Sequence, residues 1–190
     1  MRILAGRLKG RPLKAPKGET TRPTSSKLRE SLFNICREIT EGGDVLDLCS
    51  GSGAIGIEAL SRGANSATFV DPHPKAIQAL KENLDNLALK GRVLKADALK
   101  AVQLLTQEKA QYDLIYIDPP YEAGPKQAAG ESSLAMRLLR ALDASSLLKA
   151  DGILFLEEGG EIEGLETLKS LKLKKVRPFG KSVLYEFFTP

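Results

Sequence analysis

From Asp44 onward, short apolar runs alternate with longer stretches whose apolar residues recur every three or four positions. The runs Asp44–Leu48, Ala67–Val70, Arg92–Ala96, Tyr112–Ile117 and Gly152–Leu156 have the length of strands. Between them lie helical patterns: 54–62; 74–89, with Ile77, Leu80, Leu84 and Leu87 on one face; a stretch with Leu99, Val102 and Leu105; and one with Leu134, Leu138 and Leu142. Parallel strands need crossover connections, and helices supply them. The alternation therefore predicts an α/β, Rossmann-like fold: a mostly parallel sheet with helices on both faces. Gly164–Leu171 also reads as helical. Leu173–Arg177 and Ser182–Phe187 flank Pro178-Phe179-Gly180-Lys181 and predict a C-terminal antiparallel hairpin, for seven strands in all. Ligands of such sheets sit outside the carboxyl ends of the strands.

The start of the chain is different. Gly6, Gly10, Pro12, Pro16, Gly18 and Pro23 break any helix in residues 1–24, so an extended arm or hairpin is expected there, with Arg2–Ala5 an edge strand and Arg11–Ala15 its partner. A domain of residues 25–190 follows. It opens on a helix at Ser26–Ile39, where Leu28, Leu32, Ile35 and Ile39 share a face and Gly42-Gly43 mark the end. Charge separates the same two regions. Residues 1–29 hold nine Lys or Arg and one acid, a balance of +8, whereas the other 161 residues hold 19 bases and 23 acids, a balance of −4. A basic end on a mildly acidic body points to a polyanion, and nucleic acid is the expected partner.

Other classes are disfavoured. No run of 18 apolar residues is present, so no membrane span is expected. The N-terminus lacks the apolar core of a secretion signal. Cys36 and Cys49 form neither a disulfide framework nor a zinc cluster, and a cytoplasmic location is expected. A single histidine, His73, cannot make a metal site, and no metal is expected.

Two constellations carry chemistry. The first is Asp47-Leu48-Cys49-Ser50-Gly51-Ser52-Gly53-Ala54-Ile55-Gly56, in which residues 51–56 match G-x-G-x-x-G. Glycines there permit a sharp turn and close approach of a ligand to the main chain. A nicotinamide dinucleotide is one reading. The acids favour S-adenosylmethionine (SAM). Asp47 suits the ammonium of a methionine moiety and would repel a pyrophosphate. Asp71, 20 residues after Gly51, suits ribose hydroxyls, and Asp97 suits an adenine amino group or caps a helix. The expected cofactor-binding residues are Asp47, Cys49, Ser50, Gly51, Ser52, Gly53, Asp71, Pro72, Asp97 and Ala98, with Cys49 a small packing residue rather than a nucleophile.

The second is Asp118-Pro119-Pro120-Tyr121, directly after an apolar strand. An exocyclic amino group on a base is a poor nucleophile because its lone pair is delocalised into the ring. Asp118 and the Asp118–Pro119 main chain can each accept one N–H. The prolines fix the backbone, and Tyr121 can stack on the base. As the methyl moves, positive charge grows on nitrogen, where Asp118 stabilises it. Glu157 and Glu158 read as solvated, and the polar loop 122–133 as a segment that closes over a substrate.

The chain resembles the RsmD-type methyltransferases, nearly end to end. The resemblance lies in RILAGRLKGRPLKAPKG, TRPTSSKLRESLFNI at 21–35, VLDLCSGSGAIGIEALSRGA at 45–64 and DLIYIDPPY at 113–121. It implies a class I SAM-dependent methyltransferase, with S-adenosylhomocysteine as coproduct, acting on the N2 amino group of a guanine in 16S ribosomal RNA, guanine 966. It also implies catalysis by Asp118, Pro119, Pro120 and Tyr121, RNA or the assembling small ribosomal subunit as partner, and a monomer. Arg2, Arg7, Lys9, Arg11, Lys14, Arg22 and Arg29 are expected to contact RNA; Arg22 and Arg29 match the TRPT and RE elements, which implies contact with RNA or with the cofactor pocket. The loop after DPPY, GPKQAAGESS, matches the family poorly. Adenine-N6 methylation remains open, because the same two acceptors serve it. So does a non-catalytic RNA-binding assembly factor.

Overall fold

The computed structural model describes residues 1–16, 24–120 and 133–190. Its strands are β1 (Asp44–Leu48), β2 (Ser66–Val70), β3 (Arg92–Leu94), β4 (Tyr112–Ile117), β5 (Leu148–Glu158), β6 (Lys172–Phe179) and β7 (Ser182–Phe188). Its helices are α1 (Ser26–Ile35), α2 (Arg37–Thr40), α3 (Ala54–Ser61), α4 (Pro74–Asn86), α5 (Ala98–Gln107) and α6 (Leu134–Asp143). The strands form one sheet in the order β3-β2-β1-β4-β5-β7-β6. β1 through β5 are parallel to one another, and β7 runs antiparallel to β5 and β6. Strand order reverses between β1 and β4, so the carboxyl ends of these two strands border the crevice.

Each face of the sheet has its own core. Val45, Phe69, Leu114, Tyr116, Phe155 and Leu184 pack under α1, α3 and α4. Leu46, Val70, Ile115, Leu154, Tyr185 and Phe187 pack under α5 and α6. Residues adjacent along a strand thus enter opposite cores, as the pleat requires.

Three expectations change. The predicted helix 26–39 breaks at Cys36, which ends α1 and opens α2 with φ −104° and ψ 26°. Its Sγ donates to the Leu32 carbonyl, and its carbonyl accepts from Thr40 Oγ1 at 2.8 Å. Gly164–Leu171 is not a helix beyond the single turn Leu165–Thr167. The Asp143 carboxylate accepts from the amides of Lys169, Ser170 and Leu171 at 2.7–2.8 Å, so those amides donate to a side chain rather than to a helix.

The arm, third, is not a two-stranded ribbon on the sheet. It has one antiparallel bridge, Arg2 to Pro12. Across it the Ile3 amide donates to the Arg11 carbonyl at 3.0 Å and the Leu13 amide to the Met1 carbonyl at 2.9 Å, and the pairing stops there because the amides of Leu4 and Ala5 donate to the Glu58 carboxylate at 2.8 and 2.9 Å. The arm is nonetheless seated: Ile3 and Leu13 belong to the core under α1, α3 and α4. Arg7 N donates to the Ser61 carbonyl at 2.8 Å. Gly6, at φ +78°, lies so close that a Cβ would meet that carbonyl oxygen at 1.9 Å, which leaves no room for another residue.

Candidate active site

The site follows from strand register. Leu48 is level with Val70 on one side and Ile117 on the other, and Ile117 is level with Leu156. One residue further along each strand stand Asp71, Cys49, Asp118 and Glu157. Hydrophobic pairing of four strands therefore delivers three carboxylates and a thiol to one row at the crevice mouth. Asp47 lies two residues below that row on β1, 1% exposed. All four predicted acids, Asp118, Asp71, Asp47 and Asp97, are close enough to Cys49 that their charges, after burial, push its thiol pKa up. Cys49 is a protonated spacer in the loop.

The loop turns where glycine allows it. Gly51 and Gly53 have φ of +53° and +79°. Gly53 N donates to the Ser50 carbonyl at 2.7 Å, closing the turn. A Cβ on Gly53 would meet Leu80 Cδ1 at 2.3 Å, whereas one on Gly51 would meet nothing within 4 Å. Gly53 seals the loop against α4, and Gly51 leaves it open to a ligand. Ser50 and Ser52 are buried.

The acids beside the loop are held by main-chain amides. Asp71 accepts from Gly51 N at 2.9 Å and from His73 N at 2.8 Å. Asp97, exposed, caps α5 through Leu99 N and Lys100 N, at 3.0 and 3.3 Å. Ala98, behind it, is buried, and Pro72 is exposed. Asp47 accepts from Gly56 N at 2.9 Å. Burial outweighs that bond, and with help from the Asp71 charge it raises the Asp47 pKa to about 7.

Asp118 differs. Its backbone N–H donates to the Leu48 carbonyl at 3.3 Å. Its carboxylate accepts from Thr24 Oγ1 at 3.4 Å. Burial, then the charges of Glu157 and Asp47, push its pKa well above the usual carboxylate range. Behind it Tyr116 donates to Glu157 at 2.5 Å, and Thr24 Oγ1 lies 3.5 Å from the same phenol. Pro119 is buried and Pro120 exposed. Tyr121 and the loop 122–132 lie outside the described residues, as does Arg22.

Glu157 corrects an expectation: it is 5% exposed and bonded, not solvated. Counting one residue past the Ile117–Leu156 pair finds it beside Asp118, but that register is not visible before the strands are paired. Thr24 and Tyr116 were missed for the same reason. Arg29 corrects another. It is 1% exposed, so it does not face RNA. Its Nη2 donates to the Arg2 carbonyl at 3.1 Å, and its Nη1 lies 3.8 Å from Glu58. It pins the arm from below. Arg2, Arg7, Lys9, Arg11 and Lys14 are exposed, as a phosphate-contacting set requires.

Do these residues suit SAM? A buried carboxylate poised near pH 7 suits a cationic amino group. Ser50 Oγ is buried with no hydrogen-bond partner among the described residues, which leaves a donor and acceptor for a ligand. The space above Gly51 admits one closely. The residues fit. Among the described residues no cluster of His, Cys, Asp or Glu could hold a metal, and no helix is long and apolar enough to cross a membrane.

Sheet order, glycine turn and strand-end acids together define a Rossmann-like SAM-dependent methyltransferase fold. Within that class the chain belongs to the RsmD-type family: it matches the family described as Conserved hypothetical protein 95 over residues 1–188. It is 38% identical to YlbH of Bacillus subtilis over 182 residues, covering 95% of this chain and 94% of that protein. It is 32% identical over 170 residues to the ribosomal RNA small subunit methyltransferase D of Escherichia coli, covering 88% and 79%. The solved structure of yhhF from E. coli, titled a methyltransferase, superposes with a TM-score of 0.82 at 28% identity, covering 100% of this chain and 97% of that one. RsmC of T. thermophilus, solved with AdoMet and guanosine, shares the fold at a TM-score of 0.69 and 22% identity; this chain covers 46% of it.

Proposed function

We propose that the protein transfers a methyl group from SAM to the exocyclic N2 amino group of a guanine in small-subunit (16S) ribosomal RNA, with guanine 966 the position implied by the RsmD-type resemblance. The rRNA substrate is supported by relatives such as the E. coli enzyme. The observation that carries the chemistry is Asp118: a desolvated carboxylate one residue past β4, level with the glycine loop, and more basic than an ordinary aspartate.

SAM, when bound, supplies an electrophilic methyl on a sulfonium. Asp47 would hold the methionine ammonium, Ser50 and the main chain of Gly51 would line the amino-acid end, Asp71 would accept from the ribose, and Asp97 and Ala98 would border the adenine. Cys49, Ser52, Gly53 and Pro72 shape this cradle. Asp118 accepts one N–H of the guanine amino group and the carbonyl beside Pro119 accepts the other. The nitrogen lone pair is thereby turned toward the methyl. SAM would supply the methyl to that nitrogen, its carbon–sulfur bond giving way as the nitrogen–carbon bond forms. Nitrogen, briefly cationic, loses a proton to Asp118, whose raised pKa makes it a competent acceptor. Pro120 fixes the turn, and Tyr121 supplies the stacking face. The exposed arm residues hold phosphates and carry no base specificity themselves.

The test is incubation of wild-type protein and labelled SAM with deproteinised small-subunit RNA and with subunit particles, followed by nucleoside mass spectrometry and mapping. N2-methylguanosine at one site is expected. N6-methyladenosine would replace the base assignment, and absence of incorporation with both substrates would overturn the catalytic reading.

A further inference from the structure

Outside the arm, the average charge conceals a second concentration of positive residues. Residues 169–181 hold Lys169, Lys172, Lys174, Lys175, Arg177 and Lys181 and no acid, so residues 30–168 and 182–190 together carry 13 bases against 23 acids. This segment contains β6, the outer strand of the sheet, which has β7 alone beside it. Every residue from Lys172 to Val176 is exposed, as are Lys169 and Lys181.

Register places the segment relative to the crevice. Glu158, at the carboxyl end of β5, pairs with Val183, and Val183 pairs with Pro178. The turn at Gly180-Lys181 therefore lies at the same end of the sheet as Asp118. Lys175 and Arg177 pair with Glu186 and Leu184. Leu184 belongs to the core under α1, and Phe179 packs on that core. These residues thus project on the sheet face that carries the arm, but from the opposite edge, since the arm is seated on α3 and α4. Glu186 is 1% exposed and neutralises Lys174 at 3.1 Å and Arg177 at 2.6 Å. Those pairs stiffen the strand and leave Lys169, Lys172, Lys175 and Lys181 as its exposed basic fringe. One or two lysines suffice to keep an outer strand from pairing with another chain. Six bases that continue round a turn toward the crevice exceed that need.

We propose that the β6–β7 hairpin is a second RNA-backbone contact, so that the target base is presented between two phosphate clamps, one on each side of the crevice. This rests on the RNA reading above. Its chemistry is charge complementarity to phosphodiesters, and each contact adds to the salt dependence of binding. The test compares wild type, a hairpin variant (Lys172→Gln, Lys175→Gln, Lys181→Gln) and an arm variant (Lys9→Gln, Arg11→Gln) for binding to transcribed small-subunit RNA at several salt concentrations. The hairpin variant should bind at least about tenfold more weakly, with a log–log salt slope shallower by about 2, and with SAM affinity and melting temperature unchanged. An unchanged slope in the hairpin variant with a reduced one in the arm variant overturns the second clamp and leaves the RNA reading standing. Aggregation of the hairpin variant with an unchanged slope also overturns it, in favour of edge protection. If wild type itself shows no salt-dependent binding, the RNA reading and the clamp fall together.

Discussion

After β2 and β3, the strand-end carboxylates accept hydrogen bonds from backbone amides, two for Asp71 and two for Asp97. After β4, the Asp118 carboxylate meets the Thr24 hydroxyl at 3.4 Å and faces the charges of Glu157 and Asp47. The contrast separates two tasks. Amide-bonded carboxylates are fixed in direction, which suits acceptors for a cofactor that arrives and leaves unchanged in its ribose and adenine. A carboxylate crowded by like charge and partly withdrawn from water is a stronger base, which suits the half of the crevice where a proton is proposed to change hands. Asp47 stands between the two, with one amide bond and a pKa raised to about 7.

The hardest blow to this division is Asp118→Ala. If the β4 side carries the chemistry alone, kcat should fall by roughly 10²–10³-fold, while SAM affinity by isothermal titration stays within a few-fold of wild type. Loss of SAM binding in step with kcat would mean the two halves are one unit, and wild-type kcat would remove Asp118 from the mechanism.

Asp47→Asn addresses the opposite half. A hydrogen bond to a charged group is worth about 1.5–3 kcal/mol, so SAM should bind roughly 10- to 100-fold more weakly. The wild-type pH dependence follows from the raised pKa. A bound ammonium favours the carboxylate, so SAM affinity rises with pH until about 7 and then levels, and binding below that pH releases a proton. Folding favours the protonated carboxyl, so the ligand-free protein loses stability as pH rises from the ordinary carboxylate range through about 7. In the Asn variant the Asp47 share of both dependences is lost, leaving the part of the stability profile that the raised Asp118 pKa supplies. Titration in two buffers of different ionisation enthalpy reads the proton directly.

Asn83→Ala probes how the cofactor half is braced. This amide, 2% exposed, accepts from Lys14 N at 2.8 Å and donates to the carbonyls of Lys14 and Ser52, both at 3.0 Å. It joins the arm to the glycine loop. Its loss should cost about 1–3 kcal/mol, seen as a lower melting temperature and weaker SAM binding with kcat at saturation preserved. A lower kcat at saturating SAM would tie the arm to the β4 side instead.

The glycine-loop side of the crevice was legible in the sequence because it is local. Asp47, the glycines and the cap Asp97 lie within a few residues of the elements they terminate, and periodicity alone locates those ends. The β4 half is not local. Tyr116 and Glu157 are 41 residues apart, Thr24 and Asp118 94 apart, and pairing β4 with β5 is what joins the first pair. Arg29 misled because an arginine in a basic segment looks solvated, while Glu58, 0% exposed on another helix, supplies its partner. The β6 lysines were hidden by averaging them with an acidic body. The break at Cys36 and the amides captured by Asp143 are likewise tertiary effects that leave no periodic signal.

Glu157→Gln makes the smallest change and the sharpest test. The substitution keeps an acceptor for the Tyr116 hydroxyl, whose own pKa is pushed well up by burial and the nearby carboxylates so that it stays a donor. What it removes is one negative charge beside Asp118. Asp118 must be ionised to accept the amino proton, so kcat rises with pH through its raised pKa. Without the Glu157 charge that midpoint should move toward acid. The variant should then outpace wild type on the acid limb and match it on the plateau. An unmoved midpoint with a normal plateau would mean that burial alone sets the basicity of Asp118, and the like-charge crowding that distinguishes the β4 side would have no chemical consequence.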